Sequence, residues 1–255
     1  TPFILRRNKK EVLTELPDKI EQNIILPFND EEEKLYVANL AEANKELQEL
    51  YDLEGSDKMQ ILKLLTRLRQ LCLEPRLVYD NIDQPSSKLK ACMELIKTMQ
   101  ENKQKVLLFS SFTSVLDLIA EECQKAGITY YMLTGSTNKE DRRELVSRFQ
   151  KDDTTVFLIS LKAGGTGLNL TSAEAVIHFD PWWNVSAQNQ ATDRAYRIGQ
   201  KNNVQVFNLV MKDSVEEKII ELQKRKKELA DMFVENNSGG LSQMSKEDIL
   251  SLFTM

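Results

Sequence analysis

The sequence predicts an α/β fold: a parallel sheet with helices on both faces, preceded by a helical region and followed by a long helix. Three observations lead there. Short runs of Val, Ile, Leu and Phe recur through the second half of the chain, bounded by turn residues, as in strands buried on both faces. Stretches of helical period separate them, as parallel strands require. Every distinctive loop follows a strand and so falls at the carboxyl edge of the sheet, where such folds bind ligands.

The 255 residues suffice for one large domain or for one and a half smaller ones. With 41% hydrophobic and 29% charged residues the composition is that of a globular chain with a full core. The net charge of -5 means that nucleic-acid binding would need a locally basic surface. Cys72, Cys92 and Cys123 lie far apart and form no C-x-x-C, which suits reduced core thiols. A single histidine, His178, argues against a zinc cluster or a His-based triad, so no metal ligand is assigned. No run suits a membrane span or a signal peptide.

Residues 23–28 (NIILPF) read as a short extended piece. Asn29 or Asp30 then caps a helix through about Tyr51, acidic in its first turn and striped with Leu35, Leu40, Ala43, Leu47 and Leu50. Gly55 interrupts the pattern in the linker 54–57. A helix over 58–73 carries Ile61, Leu64, Leu65, Leu68 and Leu71 and stops before Pro75. Its Arg67 and Arg69 read as solvated helix surface rather than phosphate contacts.

A polar linker, 80–87, leads to a helix over 87–101 that buries Leu89, Met93, Leu95 and Ile96. Strands follow at 105–109, 130–133, 156–160, 175–180 and 204–210, with helices at 113–126 and 138–150. A helix over 213–233 bears Val215, Ile219, Leu222, Leu229 and Phe233 along one side. Its run KRKK (224–227) reads as a solvated face. A short helix capped by Ser245 follows a flexible break at 236–240.

The most informative stretch is 155–200. After the strand at 156–160 comes a loop with Gly164, Gly165 and Gly167, which lets backbone amides approach a phosphate. After the next strand, a helix is expected to carry Gln190, Arg194 and Arg197 at i, i+4 and i+7 on one face. Ala187, Ala191 and Ala195 would let that helix lie close to the sheet. Two guanidiniums one turn apart can clamp a phosphate. Read alone, they fit ion pairing with carboxylates such as Asp193 equally well. Trp182 and Trp183 can stack on bases or wedge into a groove, or else pack one lobe on another.

Together the segments are specific. S-x-K-A-G-G-x-G-L-N-L-T, D-x-x-W-N and Q-A-x-D-R-x-x-R-I-G-Q resemble motifs V and VI of Swi/Snf-type DNA translocases, members of the superfamily-two helicases. FSSFTSVLD resembles motif IV, and LTGSTNKEDR the family's L-D-G-S-T-x-x-x-x-R, with Thr134 in place of Asp. Tyr196 likewise replaces a His. The opening P-F-x-L-R-R-x-K and E-L-P-x-K resemble the segment that leaves the first motor lobe, where Arg6, Arg7, Lys9 and Lys10 would touch DNA or that lobe. The resemblance covers nearly the whole chain and is strongest over 104–211.

It implies a RecA-like lobe at 86–211, a helical protrusion at 29–85, a leading segment at 1–28, and a brace helix with tail at 212–255. Arg194, Arg197 and Gln190 would be catalytic, and Gly165, Gly167 and Asp193 would face nucleotide. Ser110, Ser111, Gly135, Ser136, Arg142, Ser160, Lys162, Ala163, Gly164, Asn169 and Trp183 would face DNA. The cofactor implied is ATP with Mg²⁺, held mainly by a first lobe. The partners are double-stranded DNA, the N-terminal RecA-like lobe of the same polypeptide, and a displaced DNA-bound protein such as RNA polymerase or histones. The setting would be a bacterial nucleoid in the cytoplasm, or the nucleus if eukaryotic.

These residues hold no G-x-x-x-x-G-K-[ST] and no D-E-x-H, and the opening without Met suits a segment cut from a longer protein. The fragment alone is therefore expected to be inactive. A non-catalytic binding module derived from a helicase lobe is the alternative, and retention of the glycines and of Gln190, Arg194 and Arg197 argues against it. An RNA helicase lobe would have Gly at Asp193 and no brace helix.

Overall fold

The structure is a computed structural model and describes residues 17–52, 58–164, 167–233 and 246–253. Gly165, the basic residues before Pro17, Gly55, the break at 236–240 and the Ser245 cap lie outside them, as do the side chains of Lys226, Lys227, Leu229 and Phe233. In order the elements are β1 (Lys19–Leu26), α1 (Asp30–Asp52), α2 (Lys58–Leu73), α3 (Ser87–Glu101), β2 (Val106–Ser110), α4 (Thr113–Lys125) and β3 (Tyr130–Leu133). They continue as α5 (Lys139–Phe149), β4 (Val156–Ser160), α6 (Leu161–Gly164), β5 (Ala175–His178), α7 (Val185–Thr192), β6 (Val204–Met211), α8 (Val215–Phe233) and α9 (Lys246–Ser251).

The six strands form one parallel sheet in the order β1-β6-β5-β2-β4-β3. Strands β2, β4 and β5 are buried throughout, which explains their unbroken apolar sequences. Alternate residues feed the two faces. Val106, Leu108, Val156 and Leu158 join Leu89 and Ile96 of α3 and Leu116 and Ile119 of α4. Leu107, Phe109, Phe157 and Ile159 join Phe149 of α5 and Ala191 of α7. The expected α/β sheet covered on both faces is what the chain forms.

Two expectations are corrected. The extended piece at 23–28 is the end of a sheet strand: β1 pairs in register with β6 from Lys19↔Val204 to Leu26↔Met211. Its exposed, polar sequence hides this, because an edge strand needs no continuous apolar run. The glycine loop opens with one helical turn, α6, in which the Ala163 amide reaches the Ser160 hydroxyl at 3.4 Å.

A second core lies beyond the sheet. Tyr36, Leu40, Ala43 and Leu47 of α1 pack with Ile61, Leu65 and Leu68 of α2, and with Val215, Ile219 and Leu222 of α8. Asn29 caps α1, accepting from the amides of Glu31 and Glu32 at 3.0 Å. Glu32 accepts the Asn29 amide in return, the reciprocal box of a stable helix start, and it also accepts the Ser87 amide at 2.7 Å. Cys72, Cys92 and Cys123 are buried free thiols, whose ionisation burial pushes upward.

Candidate functional site

Parallel strands place Ser110, Leu133, Ser160 and His178 at one edge of the sheet. Around it the candidate residues fall into three neighbouring groups.

The first surrounds Asp180, just past β5. Its Oδ1 accepts the Ser110 hydroxyl at 2.7 Å and the Ser111 amide at 2.9 Å. Its Oδ2 accepts the Ser111 hydroxyl and, at 2.8 Å, Nη2 of Arg69. Arg69 corrects the sequence reading: it is buried and paired, because an aromatic wall and a carboxylate wait where solvent was expected. Arg67 does lie at the surface, 3.6 Å from Glu42. Ser110 is buried with its hydroxyl committed to Asp180, so it braces the edge rather than presenting a donor. Ser111, exposed Lys162 and half-buried Trp183 line a cleft of ≈ 420 Å³ with Arg69, Phe112 and Trp182.

The second group lies beyond β3 and β4. Arg142 reaches across from α5, donating from Nη1 to the Ala163 carbonyl at 3.1 Å. It lines a cleft of ≈ 670 Å³ with Thr137, Lys139, Arg143, Gly167 and Asn169. Three cations at a mouth of this size favour an anionic ligand. Gly135 and Ser136 are exposed on the preceding turn, where Ser136 and Thr134 share a hydroxyl–hydroxyl bond of 2.8 Å. Asn138 caps α5, accepting the Asp141 amide. Ser160, Ala163 and Gly164 are buried, so in this state they shape the loop rather than face outward.

The third group is the segment after β5. Asn184 caps α7, accepting from Ala187 N at 3.1 Å. Here the expected helix is corrected, because α7 ends at Thr192. The amides of Arg194 and Ala195 bond to the carbonyls of Ala191 and Thr192, and this tighter winding breaks the i, i+4, i+7 register. Gln190 and Arg197 are exposed, and Asp193 sits at the helix end. Of the small-residue stripe, Ala191 and, past the helix end, Ala195 are buried against the sheet, whereas Ala187 is half-buried.

Arg194 ties this segment to the glycine loop, Nε donating to the Gly164 carbonyl at 3.0 Å. Burial first, and then the Arg197 charge, push its guanidinium below its ordinary value, while Asp193 opposes them. Cations gathered at a partly buried edge are relieved by a polyanion. Gly164 lets the loop lie against the Phe109 ring: a Cβ there would lie 2.9 Å from Phe109 Cε1. Gly167, with φ +53°, turns the loop out again.

Sequence reasoning missed the parts played by Arg69, Asp180 and Gln188. Gln188 accepts the Trp182 amide at 3.3 Å and donates to Asn208 at 3.0 Å. The only available signal was Asp180 itself, an acidic residue directly after an apolar run. Among the described residues no cluster of three His, Cys, Asp or Glu side chains is placed to hold a metal. No helix there is long and apolar enough to cross a membrane.

Residues 87–199 match the helicase conserved C-terminal domain, and residues 1–77 match the SNF2-related domain. An uncharacterized ATP-dependent helicase of Mycoplasma pneumoniae is 39% identical over 99% of this chain and 24% of its own length. The C-terminal domain of the Sulfolobus solfataricus SWI2/SNF2 ATPase superposes with a TM-score of 0.73 at 27% identity, covering 92% of this chain and 98% of that one. The core of that ATPase in complex with double-stranded DNA gives 0.74 at 32% identity, over 98% of this chain and 54% of that one. The chain spans about a quarter of the length of the curated relatives it matches.

Proposed function

The chain belongs to the SNF2 family as the C-terminal helicase lobe of its DNA-dependent ATPase, and from this we propose that it works as half of a two-lobed DNA translocase motor. In this reading residues 86–211 are the motor lobe, 29–85 a protrusion, 1–28 the segment leaving the first lobe, and 212–255 a brace helix and tail. The bond from Arg194 to Gly164, with Arg197 exposed beside it, supports the reading best. It joins the glycine loop and the arginine segment into one anion-facing edge.

These residues suit the phosphate end of a nucleotide, and ATP with Mg²⁺ would supply the γ-phosphoryl group for transfer to water. Arg194 holds the loop, and Arg197 and Gln190 approach the phosphate when a first lobe closes over the edge. A guanidinium there stabilises charge that develops in the transition state. Ser111, Lys162, Trp183 and Arg142 face the backbone of duplex DNA, so tracking is largely independent of sequence. The homologous SWI2/SNF2 core solved with double-stranded DNA supports that partner. A nucleosome or a transcribing polymerase would be the kind of object displaced.

The test is Arg197→Ala in the full-length enzyme. DNA-stimulated kcat should fall more than about ten-fold, or ~1.4 kcal/mol, with ATP and DNA binding nearly intact. Arg197→Lys should rescue poorly, since an ammonium lacks the planar fork. If Arg197→Ala keeps more than about a tenth of kcat, the assignment to Arg197 is wrong and passes to Arg194.

A further inference from the structure

We propose that Arg69, which lies on α2 and outside every strand-end loop, is a positioning residue that sets the two tryptophans at 182 and 183 for DNA. The proposal rests on the DNA reading above. The guanidinium lies at the crossing of three segments. Nη2 donates to Asp180 Oδ2 and to the Ser111 hydroxyl, both at 2.8 Å, and to the Pro181 carbonyl at 3.5 Å. Its carbon lies 4.9 Å from the Phe112 ring centre, 5.3 Å from that of Trp182 and 5.6 Å from that of Trp183.

A purely structural role explains this poorly. The side chain is 7% exposed, and burying an ion pair yields little net stability compared with a hydrocarbon of the same shape. Nε is moreover buried without a hydrogen-bond partner, a cost that a purely stabilising group would not carry. What a planar cation adds is orientation, since it can bond in its plane and stack on its faces at once. The backbone at Trp182 is already held, its amide by Gln188 of α7 and its carbonyl by Gln223 of α8. The indole rings remain to be set: both meet Arg69, and Trp183 also rests against the helical core. Through Ser111 and Trp183 the same guanidinium touches two candidate DNA contacts, so α2 governs how the cleft presents them.

The chain holds two tryptophans, both against Arg69, so its tryptophan emission, excited beyond the tyrosine band, reads this cluster. In the 255-residue chain without DNA, Arg69→Lys should shift the emission to the red and raise acrylamide quenching about two-fold, because an ammonium cannot stack as the fork does. Unchanged emission overturns the proposal. If Arg69→Lys gives no cooperative melt, Asp180→Asn takes its place. It keeps the guanidinium but removes the charge that anchors it, and unchanged emission there overturns the proposal equally.

In the full-length enzyme, Arg69→Lys should raise the DNA concentration for half-maximal ATPase about five-fold, with kcat at saturating DNA changed less than about two-fold. If Trp183→Ala raises that concentration and Arg69→Lys does not, the positioning role is refuted while the DNA reading stands. If Trp183→Ala and Lys162→Ala also leave it unchanged, the DNA reading fails and takes the proposal with it.

Discussion

Lys88 donates from Nζ to both carboxylate oxygens of Glu216, at 2.6 and 2.7 Å, with neither side chain exposed to solvent. The pair fastens the start of α3 to the start of α8. Glu216 also accepts the Met211 amide at 2.8 Å, so the end of β6 joins the same knot. Burial pushes the Glu216 carboxyl above its ordinary range, and Lys88 opposes it. Lys88→Met should therefore cost about 3–5 kcal/mol, by leaving a buried carboxylate unpaired. Lys88→Met with Glu216→Gln should recover part of that loss, since the amide oxygen still accepts from Met211. Urea unfolding decides the matter: a loss below about 1 kcal/mol for the single variant would show the knot to be dispensable.

Gly164→Ala should destabilise the lobe by about 1–3 kcal/mol, because the new methyl meets the buried Phe109 ring at 2.9 Å. Gly135→Ala, with nothing within 4 Å of the added carbon, should change stability by less than about 0.5 kcal/mol. Thermal melts of the two variants side by side test the contrast. Equal stability would mean that the glycine loop yields more easily than its packing implies.

His178 is buried, with Nε2 2.9 Å from the Thr192 hydroxyl and its ring stacked on Phe109. Burial pushes its pKa down to about 4, against opposing effects of Glu21 and Asp180, while Lys19 acts with burial. The unfolded chain binds this proton near the ordinary value of about 6.5, so it holds more protons than the folded chain between the two values. Stability is thus fully present above about pH 6.5 and lost as pH falls toward 4, by on the order of 3 kcal/mol. Glu216, shifted upward, works in the opposite sense. The difference between wild type and His178→Asn across that window isolates the histidine, and parallel curves would contradict the assignment.

The 255-residue chain alone should hydrolyse no ATP, since it carries no phosphate-binding P-loop. Turnover that survives repurification would contradict this. It should bind DNA weakly, losing most of its affinity between roughly 50 and 200 mM salt, as expected of a few phosphate contacts on a chain of net charge -5. Tight, salt-insensitive, sequence-specific binding would count against the translocase reading.

The sequence by itself determined the strands β2 to β6, the helices α4 and α5 and the start of α7, and it marked the glycine loop and the arginine segment. Hydrophobic period, caps and turn residues act over a few positions, and these elements depend on little else. Tertiary structure decided where the polar residues went. Arg69 meets Asp180 across 111 positions, and Lys88 meets Glu216 across 128. A charge on a helix reads as solvated until the fold brings its partner, because its burial depends on remote residues that no local pattern records. The same holds for β1, whose pairing with β6 exists only once the sheet is built, and for the end of α7. There Arg194 bonds to Gly164, and the chain winds more tightly than its helical spacing suggests.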